Sequence, residues 1–400
     1  MLRFKNDDGS EFPEWEEHEI AELIQLYNEK VSSDCQLPIL TSSKKNGIEY
    51  QEEHFTGKQR HDIEGYNVLP RNYCTYRNRS DGTDFTFNIN KLCDKGIVSK
   101  FYPVFKEKDC DLFFLVSLLN NERKTVRKIA YTAKGTGQKV LSITDLRNIT
   151  VNMPSLPEQQ KIADFLSTID TVIEKQKETV SAWEERKKGV MQKLFSQEVR
   201  FKADDGSEFP DWEEKKLGEC GRFYTGVGFS EKYQGHKGLD VDVYKVSDMN
   251  IVGNEKYMTL SNNTVDDSIV RQMKTKVITS KCLVFAKVGA AIYGERKRIT
   301  TKPFLIDNNM MAFEPYSCLN IEYLHSWSCS VKFSQYAQVG ALPSYNSSDI
   351  GIIKIHIPCL AEQQKIADCL SSLDEVIEKQ KATLAAWEEL KKGLLQQMFV

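Results

Sequence analysis

Along residues 156–195 apolar or near-apolar side chains return every three or four positions: Ile162, Leu166, Ile169, Ile173, Val180, Trp183, Val190 and Leu194, with Gln176 and Lys187 filling the gaps. That spacing draws one apolar stripe along an α-helix and predicts a heptad seam. The stripe returns in 360–399 as Ile366, Leu370, Leu373, Ile377, Leu384, Trp387, Leu394 and Met398, with Gln380 and Lys391 at the corresponding polar places. Pro157 stands where a helix can begin, and Pro358 shortly before its partner. At about 1.5 Å per residue each phrase makes a rod of roughly 60 Å. The nearest matching surface for so long a seam is the other copy. An antiparallel pairing brings Gln176 close to Gln380, a polar insertion that costs stability and can fix register. The alternative is that each helix packs only on its own domain.

The helical phrase is one of two doubled segments. "LPEQQKIADFLSTIDTVIEKQKETVSAWEERKKGVMQKLF" (156–195) returns as "LAEQQKIADCLSSLDEVIEKQKATLAAWEELKKGLLQQMF" (360–399), and "RFKNDDGSEFPEWEE" (3–17) returns as "RFKADDGSEFPDWEE" (200–214). So long a unit, present twice, is a duplicated module and not a solenoid. Between the echoes lie two dissimilar stretches, 19–154 and 220–357, that mix short β-rich runs with turns. "ITVNMP" (149–154), "FAKVGAAIYG" (285–294) and "IIKIHIP" (352–358) read as strands, and "LFFLVSLLN" (112–120) and "IEYLHSWSCSVKFSQYA" (321–337) as helices. Near the end of each stretch a matched aspartate, Asp145 or Asp349, precedes a strand that leads into the long helix. Two α+β domains of ordinary size, each exiting into a rod, follow from this order.

Charge changes the picture once it is divided. The chain of 400 residues has 54 basic and 57 acidic side chains, a net of −3, which argues against a nucleic-acid partner. Yet segments 1–18 and 197–219 are each −4, while 19–154 is +3 and 220–357 is +4. The positive excess sits in the variable stretches, clustered in "SSKKNG" (42–47), "GKQRH" (57–61), "RNYCTYRNR" (71–79), "EKYQGHKG" (231–238) and "GERKRIT" (294–300). Arg, Lys, Asn and Gln interleaved with Tyr are groups that contact phosphates and base edges.

Chemistry of its own is hard to find in the chain. There is no GxxxxGK[ST], HExxH or GxSxG, and no GxGxxG opening a helix. "YTGVG" (224–228) reads as a turn, "DNNMMAF" (307–313) as a turn entering a strand, and the six histidines are scattered. The ten cysteines form no CxxC pair or metal-ligand spacing, and with no signal peptide they read as reduced thiols of a cytoplasmic protein. No apolar run approaches membrane-spanning length.

Two unlike domains, each closed by a strand running into "LPEQQKIADFLSTIDTVIEKQK" or "LAEQQKIADCLSSLDEVIEKQK", resemble the specificity subunit of type I restriction-modification systems. "TSSKKNGI" (41–48), "KGIVSKFYPVF" (95–105), "YKVSDM" (244–249) and "LVFAKVGAAI" (283–292) are similar to pieces of that family's target recognition domains. The second copy departs from the usual "LPxxEQQ", having "LAEQQ" with the proline at 358. The resemblance implies an α+β chain in which two globular target recognition domains are separated by two long antiparallel coiled-coil helices, as a pseudo-two-fold internal repeat. Its segments would be 1–154 (first recognition domain), 155–196 (central helical spacer), 197–357 (second recognition domain) and 358–400 (C-terminal helical spacer).

It implies too that each domain reads one half of a bipartite double-stranded DNA site while the helices set the spacing and dock two modification (methyltransferase) subunits, with restriction (translocase and nuclease) subunits joining. The chain would be non-catalytic, binding no cofactor or metal itself, with S-adenosylmethionine, ATP and Mg on the partners. Residue type and loop context then nominate Lys44, Lys45, Arg60, Arg71, Tyr76, Arg77 and Arg79 in the first domain for DNA contact. In the second they nominate Lys232, Tyr233, Arg296, Lys297, Arg298, Tyr345 and Asn346. Two other readings stay open: a coiled-coil assembly protein without a DNA role, and a self-sufficient methyltransferase, which the absence of [DN]-P-P-[YF] and of a glycine-rich cofactor loop disfavours.

Overall fold

The doubled acidic phrase folds both times into the same short arm. The computed structural model describes residues 2–54, 62–338, 340 and 342–399. In the first copy Gly9 turns the chain at φ +86°, the Asp8 carboxylate accepts the Ser10 amide at 2.9 Å, and Lys5 pairs with Glu11 at 2.8 Å. In the second, Gly206 has φ +84°, Asp205 accepts the Ser207 amide at 2.9 Å, and Lys202 pairs with Glu208 at 2.7 Å. Glycine is the residue that takes this left-handed conformation without a Cβ clash.

Each arm clips onto the first turn of the long helix that follows its own domain. Arg3 donates from Nε and Nη2 to Glu158 at 3.1 and 3.0 Å, and Arg200 donates to Glu362 at 3.1 and 2.8 Å. Both glutamates are fully buried, so each carboxylate depends on its guanidinium. The arginines also reach the carbonyls of Phe12 and Phe209 at 3.2 and 3.3 Å. Lys161 and Lys365 hold the arm from the next turn, donating to the carbonyls of Lys5 and Lys202 at 2.9 and 2.7 Å.

The chain divides into two compact units, Met1–Glu178 with Ala382–Val400, and Thr179–Lys381. In the first unit β1 (Glu16–Glu19) is followed by β2 (Ile24–Tyr27), β3 (Cys74–Tyr76), β4 (Phe87–Ile89) and β5 (Val104–Glu107), the last four forming an antiparallel sheet in the order β2-β5-β3-β4. Helices α1 (Leu112–Asn121) and α2 (Arg123–Thr132) come next, then β6 (Thr150–Met153), which pairs antiparallel with β1 and leads into α3 (Leu156–Phe195). The second unit contains β7 (Glu213–Lys216), β8 (Gly221–Thr225), β9 (Tyr257–Met258), β10 (Leu283–Ala286), β11 (Lys297–Thr300) and β12 (Met310–Pro315). Helix α4 (Ile321–Ser330) follows, then β13 (Lys354–Ile357), antiparallel to β7, and α5 (Leu360–Met398). Its main sheet runs β8-β12-β10-β11-β9, the first four strands in the same order as in the first unit, with β9 added parallel at the edge.

The helices are shared out differently from the four segments that the sequence suggests. Each is divided partway along its length. Residues 156–178 of α3 and 382–398 of α5 belong to the first unit, and 179–195 of α3 and 360–381 of α5 to the second. Within each unit the two pieces run antiparallel. In the first, Ile162 and Leu166 share a core with Met398 and Phe399, while Asp170 pairs with Lys391. In the second, Leu194 shares a core with Ile366 and Leu370, Lys187 pairs with Asp374, and Glu184 with Lys381 at 2.9 Å. The helices also pack on their domains: Phe399 meets Phe114 at 5.7 Å between ring centroids, and Phe195 meets Tyr323 at 5.7 Å. Ile162, Leu166, Ile169, Ile173, Val180, Ile366, Leu370 and Ile377 are buried, and Leu373, Leu384, Trp183 and Trp387 are half-buried. Gln176 lies in the first unit and Gln380 in the second, both half-buried.

The first glutamine of the repeated EQQ has the same structural duty in both copies. Gln159 donates to the Pro154 carbonyl at 2.8 Å and accepts the Asp111 amide at 2.8 Å; Gln363 donates to Pro358 at 2.8 Å and accepts the Asn320 amide at 2.7 Å. Asp111 and Asn320 are the N-caps of α1 and α4, so one side chain ties the start of a domain helix to the start of the rod.

Two expected elements end early. The strand expected over 285–294 stops at Ala286, Gly289 turns the chain at φ +79°, and Ala290–Gly294 forms a 3-10 turn. Helix α4 ends at Ser330, where Val331 is extended; a 3-10 turn, Phe333–Tyr336, then places Phe333 in the core at 1 % exposure. The "YTGVG" glycine Gly226 passes so close to Asp307 that a Cβ would lie 1.8 Å from its carbonyl oxygen, which is why no larger residue fits. All ten cysteines are free thiols, and among the described residues no helix is long and apolar enough to cross a membrane.

Replacing Arg200 by Ala strands the Glu362 carboxylate in the core. The expected loss is about 3–5 kcal/mol, read by urea titration of the chain, whereas Lys202→Ala, whose ion pair is exposed, should leave the titration midpoint unchanged.

Candidate nucleic-acid interface

In the first unit the turn of a short hairpin, Leu40–Ser43 with Gly47–Tyr50, carries Lys44, Lys45 and Asn46. Asn88 anchors it by donating to the Ser42 hydroxyl at 2.7 Å and the Ser43 carbonyl at 3.0 Å. This turn overlooks a groove of about 1450 Å³ whose other walls are β4, α1 and the first part of α3. Six lysines, Lys44, Lys45, Lys91, Lys175, Lys177 and Lys391, line it against five carboxylates, Asp84, Asp170, Glu174, Glu178 and Glu388, together with the amides Asn46, Asn88, Asn120 and Asn121. Cations and amides along an open groove suit phosphates and base edges.

The nominated residues divide into three groups. Lys45, Arg77 and Arg296 are exposed and make no ion pair among the described residues. Lys44, Arg71, Arg79, Lys232 and Tyr233 are reachable and lightly engaged. Lys44 meets Asp84 at 2.9 Å, Arg71 meets Asp94 at 2.8 Å, and Arg79 stacks on Phe101 at 4.0 Å. Lys232 lies over Tyr233 at 4.4 Å, whose hydroxyl donates to Gln272 at 3.2 Å. Arg71, Arg77 and Arg79 do not line the large groove. Arg60 lies outside the described residues.

Three nominations are corrected by burial. Tyr76 has no exposed surface; its hydroxyl donates to the Leu141 carbonyl at 3.0 Å, and burial pushes its pKa far up. Lys297 is 2 % exposed: its ammonium pairs with Glu295, donates to the Val331 carbonyl at 3.0 Å and sits 4.5 Å from the centre of the Phe333 ring. Tyr345 is 4 % exposed and donates to the Ala286 carbonyl, tying two loops together. Arg298 and Asn346 also have internal duties. Arg298 donates to the Lys297 carbonyl at 2.9 Å, and Asn346 caps a short helix, accepting the Ser348 and Asp349 amides at 2.8 and 3.0 Å. Alternation along β11 turns Lys297 inward, which the cluster "GERKRIT" does not reveal.

Residues missing from that set stand out in the fold. Arg123 and Arg127 on α2 are exposed, as is Tyr293, at 64 %, on the 3-10 turn after β10. The signal for the first two was present in "RKTVRK" (123–128), four cations in six residues.

Similarity to known proteins defines the class. The family of type I restriction modification DNA specificity domains matches residues 14–181 and again 210–386. The chain belongs to this family, as a type I restriction-modification specificity subunit with two such domains. Among curated proteins it is 26 % identical over 333 residues to the type I restriction enzyme MjaVIII specificity subunit of Methanocaldococcus jannaschii, covering 76 % of this chain and 73 % of that one. It is 26 % identical over 298 residues to the putative type I restriction enzyme MjaX specificity subunit of the same organism, covering 71 % and 66 %. Among solved structures it shares the fold of the type I restriction-modification S subunit from M. genitalium, with a TM-score of 0.55, 15 % identity, and coverage of 100 % of this chain and 98 % of that one. A chain from a study of complex assembly and conformational transition of the type I restriction-modification system gives a TM-score of 0.56 at 14 % identity, covering 97 % and 98 %.

Beside the buried Lys297, His325 offers a titration. Its Nε2 lies 3.2 Å from the Lys297 carbonyl and, as a donor there, fixes the neutral tautomer; burial, then Lys256, pushes its pKa from 6.5 down to about 3. The unfolded chain binds this proton below about pH 6.5 and the folded chain does not, so stability is lost as pH falls through that window. The expected slope from this group is up to about 1.4 kcal/mol per pH unit. Urea titrations between about pH 7 and pH 5 should show it, and His325→Gln should flatten it.

Proposed function

We propose that each unit reads one half of a bipartite site on duplex DNA, and that the chain itself catalyses nothing. The observation that carries this is the contrast within each unit. The clip, the four-strand order and the capped helix are the same in both, while the loops that carry the exposed cations differ in sequence and position. A scaffold used twice with unlike loops is what recognition of two different half-sites requires. The antiparallel helix segments set the length of the unread gap and, with the repeated arms, give two modification subunits similar seats; restriction subunits join through the assembly. S-adenosylmethionine, ATP and Mg belong to those partners, and the complex works in the cytoplasm.

Methylome sequencing of cells with and without this chain tests the reading. A bipartite methyl-adenine motif is expected only where the chain is present. Exchanging residues 220–357 for the matching segment of another family member should then change one half of the motif and leave the other half intact. A motif that moved as a whole, or not at all, would overturn the two-reader assignment.

A further inference from the structure

Among the described residues, helix α2 has no counterpart in the second unit. At the corresponding place after α4 the second unit has only the 3-10 turn Phe333–Tyr336, without an arginine. Thr125 and Ile129 are each 2 % exposed and fix α2 to the domain, which leaves Arg123 and Arg127, one turn apart, on an exposed face. Neither makes an ion pair among the described residues. The carboxylate nearest in sequence, Glu122, is occupied as the N-cap, accepting the Lys124 and Thr125 amides at 3.2 and 2.6 Å.

Between this face and the last turns of α5 lies a second groove, of about 610 Å³. Four cations, Arg123, Arg127, Lys391 and Lys392, line it against one carboxylate, Glu388. Lys391 pairs with Asp170 and Lys392 with Glu389, so the two arginines face Glu388 as the one carboxylate of the lining and supply its positive excess. The groove shares Asn120, Asn121, Val126, Glu388, Lys391 and Leu395 with the larger one and continues it.

Resting on the DNA-reading role proposed above, we propose that Arg123 and Arg127 form a phosphate clamp on the duplex beside the half-site read by the first unit. Among the described residues the second unit has no equivalent. Planar guanidinium groups suit phosphate oxygens, and the neighbouring amides can donate to the same backbone. A protein partner fits the groove less well. Interface cores are apolar and depleted of charge, whereas Val126 and Leu395 are the apolar side chains in this lining.

The test uses the complex that co-purifies with the full-length chain, a duplex carrying the methylated motif, and a scrambled duplex. Binding is measured over a range of salt. Arg123→Gln with Arg127→Gln should lower the slope of log K against log salt by about two, at 0.9 per phosphate contact, with the motif unchanged. Arg127→Gln alone should lower it by about one, and the double Lys variant should keep the slope. Unchanged circular-dichroism melting is expected, since both side chains are exposed and unpaired. An unchanged slope in a folded variant, or loss of partner subunits at unchanged slope, overturns the clamp. If the unaltered complex binds both duplexes alike, it is the DNA-reading role that fails.

Discussion

A buried carboxylate held by one arginine organises each half of this molecule. Glu158 and Glu362 sit at the first turn of their helices with no exposed surface, and Arg3 and Arg200 approach them in a two-point grip from an arm that is distant in sequence. Such a pair adds little net stability over an apolar substitute, because desolvating both charges offsets their attraction. Its effect is on specificity: any packing that leaves the arm undocked leaves a charge uncompensated. Around each grip stand the turn at Gly9 or Gly206, the lysine one helical turn on that also holds the arm, and the glutamine that joins two helix starts. The two copies differ at the tryptophan: Trp212 adds its indole N–H to Glu362 at 2.9 Å, whereas the Trp15 indole N–H has no hydrogen-bond partner among the described residues and its ring packs edge-on against Phe114.

This explains why the acidic phrase recurs. Its residues are consumed inside each unit: arginine on glutamate, glycine in a left-handed turn, acids in capping and exposed ion pairs. The recurrence is therefore a requirement of folding before it is a requirement of partners. The clip secures the start of each rod, and the exposed nominated lysines and arginines lie outside the repeated segments. Recognition can change there without disturbing the part that is repeated.

Much of the architecture was legible. The apolar stripe at three- and four-residue spacing became two helices of 40 and 39 residues, and the matched "ITVNMP" and "IIKIHIP" runs became the strands that feed them. Legibility ended at individual side chains in the loops. Tyr76, Lys297 and Tyr345 have the chemistry of nucleic-acid contacts, and each instead completes a buried hydrogen bond or ion pair. Composition reports what a cluster contains, whereas strand alternation and core packing decide which members face water. Arg123 and Arg127 show the converse: a cation run readable as an ordinary solvated face acquires meaning because the end of the other helix faces it.

The sequence by itself determined the duplication, the two rods, the α+β character of the modules and the family, because periodicity and long repeated phrases are local properties that survive without coordinates. Tertiary structure decided how the helices are divided between units, which glutamate each arm holds, and which basic residues remain free. Those outcomes depend on pairings between residues far apart in the chain, such as Arg3 with Glu158 or Asp170 with Lys391, and no local pattern specifies the partner of a charge once it is taken out of water.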